Sequence, residues 1–367
     1  MQSPVAMNRA SEITAVIKRA ALEAGFDLCG IAPATDAQEL EYFPAWIGAG
    51  HAGEMKYMEA RDEQGSLKRA SLARVAPWAR SVVVCAINYN SEQPYSTEFH
   101  DKSRGWISRY AWGCEDYHEA VLRRLRQLDH ILKNSLSQSG NESGELVTRC
   151  YVDTGPIVER VYAKYAGIGW IGKNTCIISQ KKGSWLFLGV ILTSAELAPD
   201  LPAPDRCGSC RRCIEACPTD ALLEPYRLDS NRCISYLTIE KRGQIPEELQ
   251  EAMGRHVFGC DICQDVCPWN RRAPVTTAPE FAPRPDLVNP ALDWLAEMSA
   301  EEFRKVFRGS PVRRTKLSGL RRNAAIAMGN SSKQSLAATL EKLSTDKDEI
   351  VSESARSARE RLRESAV

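Results

Sequence analysis

The residues with the clearest chemical potential in this sequence are cysteines. Four of the thirteen lie in the run CGSCRRCIEACP, which has the spacing CxxCxxCxxxCP. A tight loop of this kind directs three thiolates at one [4Fe-4S] cluster, and its fourth cysteine ligates another cluster. The downstream runs RCISYL and CDICQDVCP supply four further cysteines. Eight thiolates in this pattern predict two [4Fe-4S] clusters.

The order of the cysteines predicts a crossed arrangement of ligands. We assign one cluster to Cys207, Cys210, Cys213 and Cys267, and the other to Cys217, Cys233, Cys260 and Cys263. Two structural zinc sites are the alternative, because paired CxxC elements also bind tetrahedral zinc. The third cysteine at +3 and the CP ending favour iron-sulfur clusters. Four other cysteines stand in apolar, strand-like surroundings and are predicted to be small core residues: Cys29, Cys85, Cys150 and Cys176.

A glycine motif, GxGxxG, occurs in AGIGWIGKN at Gly167, Gly169 and Gly172. A dinucleotide-binding fingerprint needs a strand before it and a helix after it, so that the helix N-terminus faces the pyrophosphate. Here IVERVYAKYA predicts a helix before the motif, and NTCIIS predicts a strand after it. The motif therefore argues against nucleotide binding, and we expect its glycines to let the backbone approach another large ligand.

The elements that must position these residues alternate between helix and strand over residues 1–199. Helices are predicted near 9–25, 116–137 and 157–166, and strands in PWARSVVVCAINY and near 146–152 and 184–193. Proline-rich stretches then mark two boundaries. The predicted class is mixed α+β/α/β, with an α/β domain over 1–199, a ferredoxin-like two-cluster domain over 200–275 and a HEAT-like α-helical domain over 285–367. The last domain is predicted to hold helices near 291–307, 316–329, 333–343 and 348–364.

Composition sets further bounds. The chain has 367 residues, 43% of them hydrophobic, and a formal net charge of +1. No apolar run approaches the roughly 18 residues of a membrane span, and the first residues have helical spacing rather than a signal-peptide core. With an odd cysteine count, these features predict a cytoplasmic protein with reduced thiols. Residues 301–323 are locally basic, with eight Arg or Lys against Glu301 and Glu302.

Four further motifs resemble one enzyme family: RYAWGCEDYH at 109–118, VDTGPIVER at 152–160, GWIGKN at 169–174 and RCISYLTIEKRGQIP at 232–246. Together with both cysteine runs they are similar to epoxyqueuosine reductase. The resemblance implies reduction of the epoxide of epoxyqueuosine in tRNA to queuosine, the last step of queuosine biosynthesis. It implies super-reduced cobalamin, bound by the N-terminal domain and fed by the two [4Fe-4S] clusters. Its partners would be tRNA carrying epoxyqueuosine and an external low-potential electron donor, and the protein would be a monomer.

The resemblance also implies that Asp153 is the proton donor and contacts the cofactor. A carboxylic acid donates near neutral pH only if burial or a negative neighbour raises its pKa, and the preceding Tyr151 and Val152 lead us to expect burial. The residues alone favour a helix cap instead, with Asp153 or Thr154 before Gly155 and a proline.

The cobalamin contacts implied by the resemblance are Tyr110, Asp116, His118, Lys173, Asn174, Ser235 and Asp261. His118 has the alternative of a surface or capping residue at a helix start, and Lys173 that of a solvated side chain. Because Val121 replaces the final glycine of the DxHxxG pattern of base-off cobalamin domains, His118 is not assumed to bind cobalt.

Clustered cations predict contact with RNA phosphates. The predicted tRNA contacts are Lys241, Arg242, Arg313, Arg314, Lys316, Arg321 and Arg322, and a solvated charged face is the alternative. Two other functions compete with the main hypothesis. A corrinoid reductase of a small molecule, such as a reductive dehalogenase, would not need the helical tail. An electron carrier or RNA-binding adapter would not need Asp153 or the glycine loop.

Overall fold

The N-terminal part of the chain contains most of the sheet structure. The computed structural model describes residues 4–92, 94–138 and 146–364. Its first elements are α1 (Pro4–Glu23), β1 (Leu28–Pro33), α2 (Phe43–Gly48), α3 (Leu72–Val75), β2 (Ser81–Asn88), β3 (Trp106–Ile107), α4 (Tyr117–Gln138), β4 (Thr148–Tyr151), α5 (Glu159–Tyr165), β5 (Trp170–Ile171), β6 (Ile177–Ile178) and β7 (Leu186–Thr193). The helices and strands predicted for this region are present, with small shifts at their ends.

The central sheet has the strand order β1-β2-β7-β4, and every neighbouring pair is antiparallel. All residues of β2 are buried, because α1 and α4 cover one face of the sheet and α5 covers the other. Val83 faces α1 and α4, whereas Val84 faces α5. The mixed class predicted from the sequence is confirmed. The antiparallel pairing makes this part α+β rather than a set of parallel βαβ units.

The glycine motif follows α5 and spans the β5–β6 hairpin, as the reversed order of helix and strand predicted. A Cβ on Gly169 would lie 2.3 Å from the carbonyl oxygen of Ile178 across this hairpin. The close approach that this glycine permits is therefore to the protein's own backbone. That contact accounts for Gly169, and the expectation that the motif lets the backbone approach another large ligand stays a prediction.

The cysteine-rich module contains short elements separated by loops. These are α6 (Arg212–Glu215), β8 (Leu222–Glu224), β9 (Arg227–Leu228), α7 (Ile234–Ile239), α8 (Glu247–Gln250), β10 (His256–Phe258) and α9 (Ile262–Asp265). The first three cluster cysteines lie just before and within α6, and Cys263 lies within α9. Short helices separated by loops can direct several nearby cysteines toward one cluster.

The C-terminal region is helical, as predicted, and contains α10 (Leu292–Glu297), α11 (Ala300–Val306), α12 (Lys316–Gly329), α13 (Ala337–Leu343) and α14 (Glu349–Glu364). The helix predicted over 291–307 is two helices, because Ser299 caps α11 by accepting a hydrogen bond from the Glu302 N–H at 3.1 Å. Helices α12 and α14 pack against each other. The assignment of these helices to HEAT-type repeats stays a prediction.

One hydrophobic core crosses the predicted domain boundaries. Trp106 and Trp112, from the N-terminal part, are buried together with Val257 of the cysteine-rich module and with Leu292 and Leu320 of the helices. Strand β3 also pairs in parallel with β10. The three predicted segments therefore share packing. Among the described residues, no helix is long and apolar enough to cross a membrane.

Candidate active site and cluster sites

The first predicted cysteine quartet surrounds a single cavity. This cavity is lined by all four of its members, Cys207, Cys210, Cys213 and Cys267, together with Trp269. The pKa of Cys267 is raised to about 11, chiefly by burial and in smaller part by the neighbouring Cys207 and Cys213. The structure thus brings Cys267 to three cysteines that precede it by more than fifty residues.

The second quartet consists of half-buried cysteines. Burial raises the pKa of Cys260 well above its usual value, and the thiols of Cys233 and Cys217 add to the effect. Burial likewise raises the pKa of Cys233, whereas the backbone N–H groups of Tyr236 and Ser235 oppose it. Ser235, predicted to contact cobalamin, therefore borders the second quartet.

Both quartets have features that suit [4Fe-4S] clusters. The N–H of Ala221 donates to the Sγ of Cys217 at 3.3 Å, and N–H groups facing cluster sulfurs stabilise the negative charge of a cluster. Within the described residues, no three metal-binding side chains are grouped tightly enough to hold a single ion. Cysteines that each bind a different iron of a cubane do not need such a grouping.

A ninth cysteine adjoins the second quartet. Cys176 is half-buried, and its thiol is in hydrogen-bonding contact with Cys263, which lowers the pKa of Cys176. The sequence placed Cys176 among the core residues because Ile177 and Ile178 follow it. That expectation missed its contact with a predicted cluster ligand, since the contact forms between segments far apart in sequence.

Asp153 lies on an exposed turn, and its side chain is 67% exposed. Its backbone is left-handed, with φ 58°, a conformation that few residues other than glycine adopt without strain. The predicted burial of this carboxyl is therefore wrong. The helix-cap alternative is also wrong, because α5 begins only at Glu159 and its N-cap residue is Val158.

The side chain of Asp153 meets the first turn of α4. The hydroxyl of Tyr117 donates to Asp153 Oδ2 at 2.9 Å, and His118 Nε2 lies 3.9 Å from the same oxygen. Asp116 accepts a hydrogen bond from the His118 N–H at 3.0 Å, and its Oδ1 lies 2.7 Å from His118 Nδ1. Asp116 thus both starts the helix and orients the imidazole toward Asp153.

Aromatic rings form one wall beside Asp153. Tyr117 stacks on His118 with ring centroids 4.0 Å apart and on Phe187 at 4.4 Å, and Tyr110 meets its edge at 5.9 Å. Burial raises the pKa of Tyr117 well above its usual value, and the charge of Asp153 raises it further. The phenol therefore stays protonated and available as a donor to Asp153.

A second wall was not predicted from the sequence. The exposed ring of Tyr57 lies between the guanidinium groups of Arg69 and Arg314, at 5.8 and 5.5 Å. Arg314 also pairs with Glu240 at 2.5 Å. The negative charge of Asp153 raises the pKa of both Tyr57 and Arg314, so both side chains lie near this carboxylate. No motif surrounds Tyr57 in the sequence, so only the folded chain reveals that it belongs to this cleft.

Two of the predicted cofactor contacts bind the cysteine-rich loops instead of facing the Asp153 cleft. Lys173 Nζ donates to the carbonyl oxygens of Gly208 at 2.6 Å and Cys210 at 3.0 Å, so its alternative as a purely solvated side chain is wrong. Asn174 is buried, and its Nδ2 donates to the carbonyl of Cys263 at 3.3 Å. Both residues also line the cavity of the first quartet.

Asp261 is 1% exposed, and protein donors enclose its carboxylate. Its carboxylate accepts hydrogen bonds from Trp106 Nε1 at 3.0 Å, Ser108 Oγ at 2.5 Å and the Arg109 N–H at 2.8 Å. A carboxylate satisfied in this way supports the fold. Direct contact between its side chain and a cofactor, as the resemblance implied, conflicts with this burial.

The predicted tRNA contacts divide by exposure. Arg322 is fully buried and donates to the carbonyl oxygens of Leu237, Lys241 and Gly243 at 2.7, 2.9 and 2.7 Å, so it cannot contact RNA. Arg321 is half-buried and pairs with Asp346 at 2.9 Å. Lys241 is held by Glu54 at 2.5 Å. The exposed members are Arg242, Arg313, Arg314 and Lys316.

Family models match two parts of the chain. Residues 206–270 match a 4Fe-4S double cluster binding domain, which supports iron-sulfur clusters over the zinc alternative. Residues 69–154 match the model described as epoxyqueuosine reductase QueG, DUF1730. The two matches cover the cysteine quartets and Asp153.

Relatives and solved structures are similar over most of the chain. Epoxyqueuosine reductase of Synechocystis sp. is 42% identical over 300 residues, which cover 80% of this chain and 98% of the relative. That of Escherichia coli is 38% identical over 90% of this chain and 84% of the relative. A structure of epoxyqueuosine reductase with an epoxyqueuosine-modified tRNA-Tyr stem loop has a TM-score of 0.84 and 29% identity, covering 96% and 90% of the two chains. Another, from Bacillus subtilis with an aspartate catalytic loop swung out of the active site, has a TM-score of 0.78 and 28% identity, covering 95% and 99%. The chain belongs to the epoxyqueuosine reductase family.

Proposed function

We propose that this protein reduces the epoxide of epoxyqueuosine in tRNA to the alkene of queuosine. The observation that carries the proposal is the similarity, over 96% of the chain, to an epoxyqueuosine reductase bound to a modified tRNA stem loop. The exposed Asp153 beside Tyr117 and His118, with two cysteine quartets behind it, fits that chemistry. The reaction consumes two electrons and two protons and releases water.

The cofactors are two [4Fe-4S] clusters and cobalamin. Cobalamin, when bound, supplies a strongly reducing metal centre, and clusters of this type deliver electrons singly. On the Asp153 side, Tyr110, Asp116 and His118 would border it, and on the cluster side Asn174 and Ser235. Tyr110 lies close to both sides. Burial raises its pKa, and the charges of Asp153 on one side and Asp261 on the other raise it further. Such an aromatic boundary suits a large, flat cofactor.

Asp153 is the proton donor in this proposal. Its exposed turn lets substrate reach the carboxyl, and Tyr117 holds one carboxyl oxygen in place. A bound nucleotide that covers Asp153 excludes water and thereby favours its neutral, proton-donating form. The loop movement seen in the Bacillus subtilis relative supports a turn that opens and closes over substrate.

The tRNA is held by exposed cations beside this cleft. Arg313, Arg314 and Lys316 precede or begin α12, and Arg242 lies on the neighbouring loop. Phosphate contacts from such cations position RNA without reading its sequence. A tRNA substrate suits a protein of the cytoplasm, and in this proposal it works there as a monomer that receives electrons from an external low-potential donor.

Nucleoside analysis of tRNA tests the proposal. A bacterial strain that lacks epoxyqueuosine reductase would carry this protein, its Asp153→Asn variant or the control Asp286→Asn, which changes an exposed carboxylate paired with Arg284. The wild-type protein and the control should restore queuosine, and Asp153→Asn should leave epoxyqueuosine although its iron-sulfur and corrin absorbance is retained. Epoxyqueuosine persisting with wild-type protein would refute the function. Queuosine formed at the wild-type rate by Asp153→Asn would refute only the role of this residue.

A further inference from the structure

A large open concavity lies beside the first cysteine quartet. Its volume is about 620 Å³, and its lining includes Tyr95, Glu98, Arg212, Glu215, Asp265 and Arg271. Arg212 also lines the cavity that the four cysteines surround. The surface concavity and the cavity of the first quartet thus share a lining side chain.

Residues that line the concavity are next in sequence to predicted cluster ligands of both quartets. Its lining residues Arg212, Ala216 and Val266 are sequence neighbours of Cys213, Cys217 and Cys267 respectively. The second quartet is packed against the buried Ile234 and Leu237. Because electron transfer slows steeply with distance, this concavity is well suited to the entry of electrons.

Two exposed cations, Arg212 and Arg271, line the concavity, and four others lie near them in sequence or in the segment before Gly183. We call this set the basic rim: Lys181, Arg206, Arg211, Arg212, Arg271 and Arg272. Lys181 adjoins the last two because Gly183 packs against Trp269 and Ala273. In the part of the chain that the structure describes, none of the six is paired with a carboxylate. The concavity has two exposed carboxylates, Glu98 and Glu215, against the six cations of the basic rim. This surface is therefore locally positive, although the formal net charge of the whole chain is only +1.

We propose that the concavity and its basic rim dock a small, acidic protein that carries one electron at a time. The inference rests on the proposed function, which requires an external electron donor. In the docked complex the carrier loses one electron and the cluster of the first quartet gains it, with no bond made or broken. An acidic face on the carrier matches the unpaired cations, and such complementarity speeds encounter by steering.

RNA is the other polyanion that a basic surface could attract. The substrate nucleotide must reach Asp153. The negative charge of Asp153 raises the pKa of five nearby residues, and none of them belongs to the basic rim: Tyr57, Tyr110, Tyr117, Glu159 and Arg314. The basic rim instead belongs to the outer cysteine loop. The two surfaces therefore serve two partners.

The test measures reduction of the clusters without turnover. An acidic plant-type [2Fe-2S] ferredoxin, reduced beforehand, is mixed with the cluster-loaded protein, and iron-sulfur absorbance is followed over a range of salt concentrations. The variant Arg211→Glu/Arg212→Glu/Arg271→Glu reverses the basic rim. The matched control, Arg19→Glu/Lys333→Glu/Lys347→Glu, reverses three exposed cations elsewhere.

The wild-type protein and the control should be reduced at similar rates that fall steeply with salt. The rim variant should be at least about tenfold slower at low salt and nearly independent of salt. Reduction by a small reagent, and binding of an anticodon stem loop, should be unchanged in all three proteins. Equal rates with ferredoxin would overturn the proposal, as would a loss of RNA binding confined to the rim variant. Because no epoxyqueuosine is present, the result is independent of whether the protein reduces that substrate.

Discussion

At the scale of single residues, the hydrogen bond between Tyr117 and Asp153 is the contact that holds the proposed proton donor. We expect Tyr117→Phe to lower turnover of an epoxyqueuosine stem loop up to roughly tenfold, because a hydrogen bond between neutral groups contributes about 0.5–1.5 kcal/mol. Bound iron and corrin should be unchanged. Tyr42→Phe, at a ring 70% exposed, is the control and should have wild-type turnover. An unchanged turnover number for Tyr117→Phe would show that Asp153 needs no such support.

A second prediction at this scale concerns Glu159. Burial raises the pKa of this carboxyl to about 7, the charge of Asp153 adds to the effect, and its Oε1 is buried without a partner. A raised pKa means that the folded protein binds the proton more tightly than the unfolded chain does. Stability from this group is therefore complete at low pH, below about 4.5, and is lost as pH rises toward 7.

Glu159→Gln removes this pH dependence. We expect the variant and the wild-type protein to melt at similar temperatures near pH 5, and the variant to melt several degrees higher at pH 8. Melting temperatures across this pH range, taken at one scan rate, provide the measurement. A gap that narrows toward high pH would contradict the assignment.

The sequence predicted a residue's role well where local spacing determines that role, and poorly where contacts with distant segments determine it. The cysteine quartets were assigned from spacing because cluster ligation constrains a short loop. Arg322 and Asp261 were assigned to RNA and cofactor surfaces, yet both are buried and bonded to the protein. Burial of a charged residue depends on segments distant in sequence, and no local pattern signals it.

At the scale of elements, the crossed assignment links α6 to the segment after α9. We expect Cys267→Ala to remove the first cluster and Cys217→Ala the second, each lowering bound iron from about eight to about four atoms per protein. Cys114→Ala, at an exposed thiol near the Glu280 carbonyl, should retain all the iron. Iron analysis with electron paramagnetic resonance of the reduced proteins separates the two clusters. Cys210→Ala identifies the first cluster by its loss. An uncrossed arrangement would make Cys217→Ala, rather than Cys267→Ala, lose that same cluster, and this result would refute the crossed assignment.

Helix and strand positions followed from the sequence more fully than their pairing did. The apolar periodicity of α4 and the apolar run of β2 are local, and both elements appear where they were predicted. The antiparallel order β1-β2-β7-β4 depends on contacts between segments up to about 110 residues apart, such as Ser81 and Thr193, which periodicity does not encode. The left-handed turn at Asp153 was missed for a related reason, since the carboxyl that it presents bonds to Tyr117, 36 residues earlier in the chain.

At the scale of the whole molecule, α12 joins the helical region to the cysteine-rich module. Arg322 donates to three carbonyl oxygens of the segment 237–243, and the neighbouring Asn323 donates to the carbonyls of Thr238 and Val257 at 2.9 and 2.8 Å. These contacts hold the strand and helix that flank the second quartet. The predicted boundary near residue 285 therefore separates sequence segments that fold against each other.

Replacing Arg322 tests this coupling. Arg322→Met keeps much of the side-chain volume but leaves the three carbonyl oxygens without their donor, and leaving a buried hydrogen-bonding group unsatisfied costs about 1–3 kcal/mol. We expect the apparent melting temperature to fall by roughly 5 °C or more, with loss of iron on mild heating, while stem-loop affinity of the intact fraction stays unchanged. Arg313→Met, at an exposed cation beside α12, should show the opposite pattern, with normal melting and weaker, less salt-dependent RNA binding. A side chain enclosed by carbonyl oxygens can affect RNA binding only by destabilising the segments around it. Weaker RNA binding by Arg322→Met at normal stability would therefore show that this arginine contacts RNA directly.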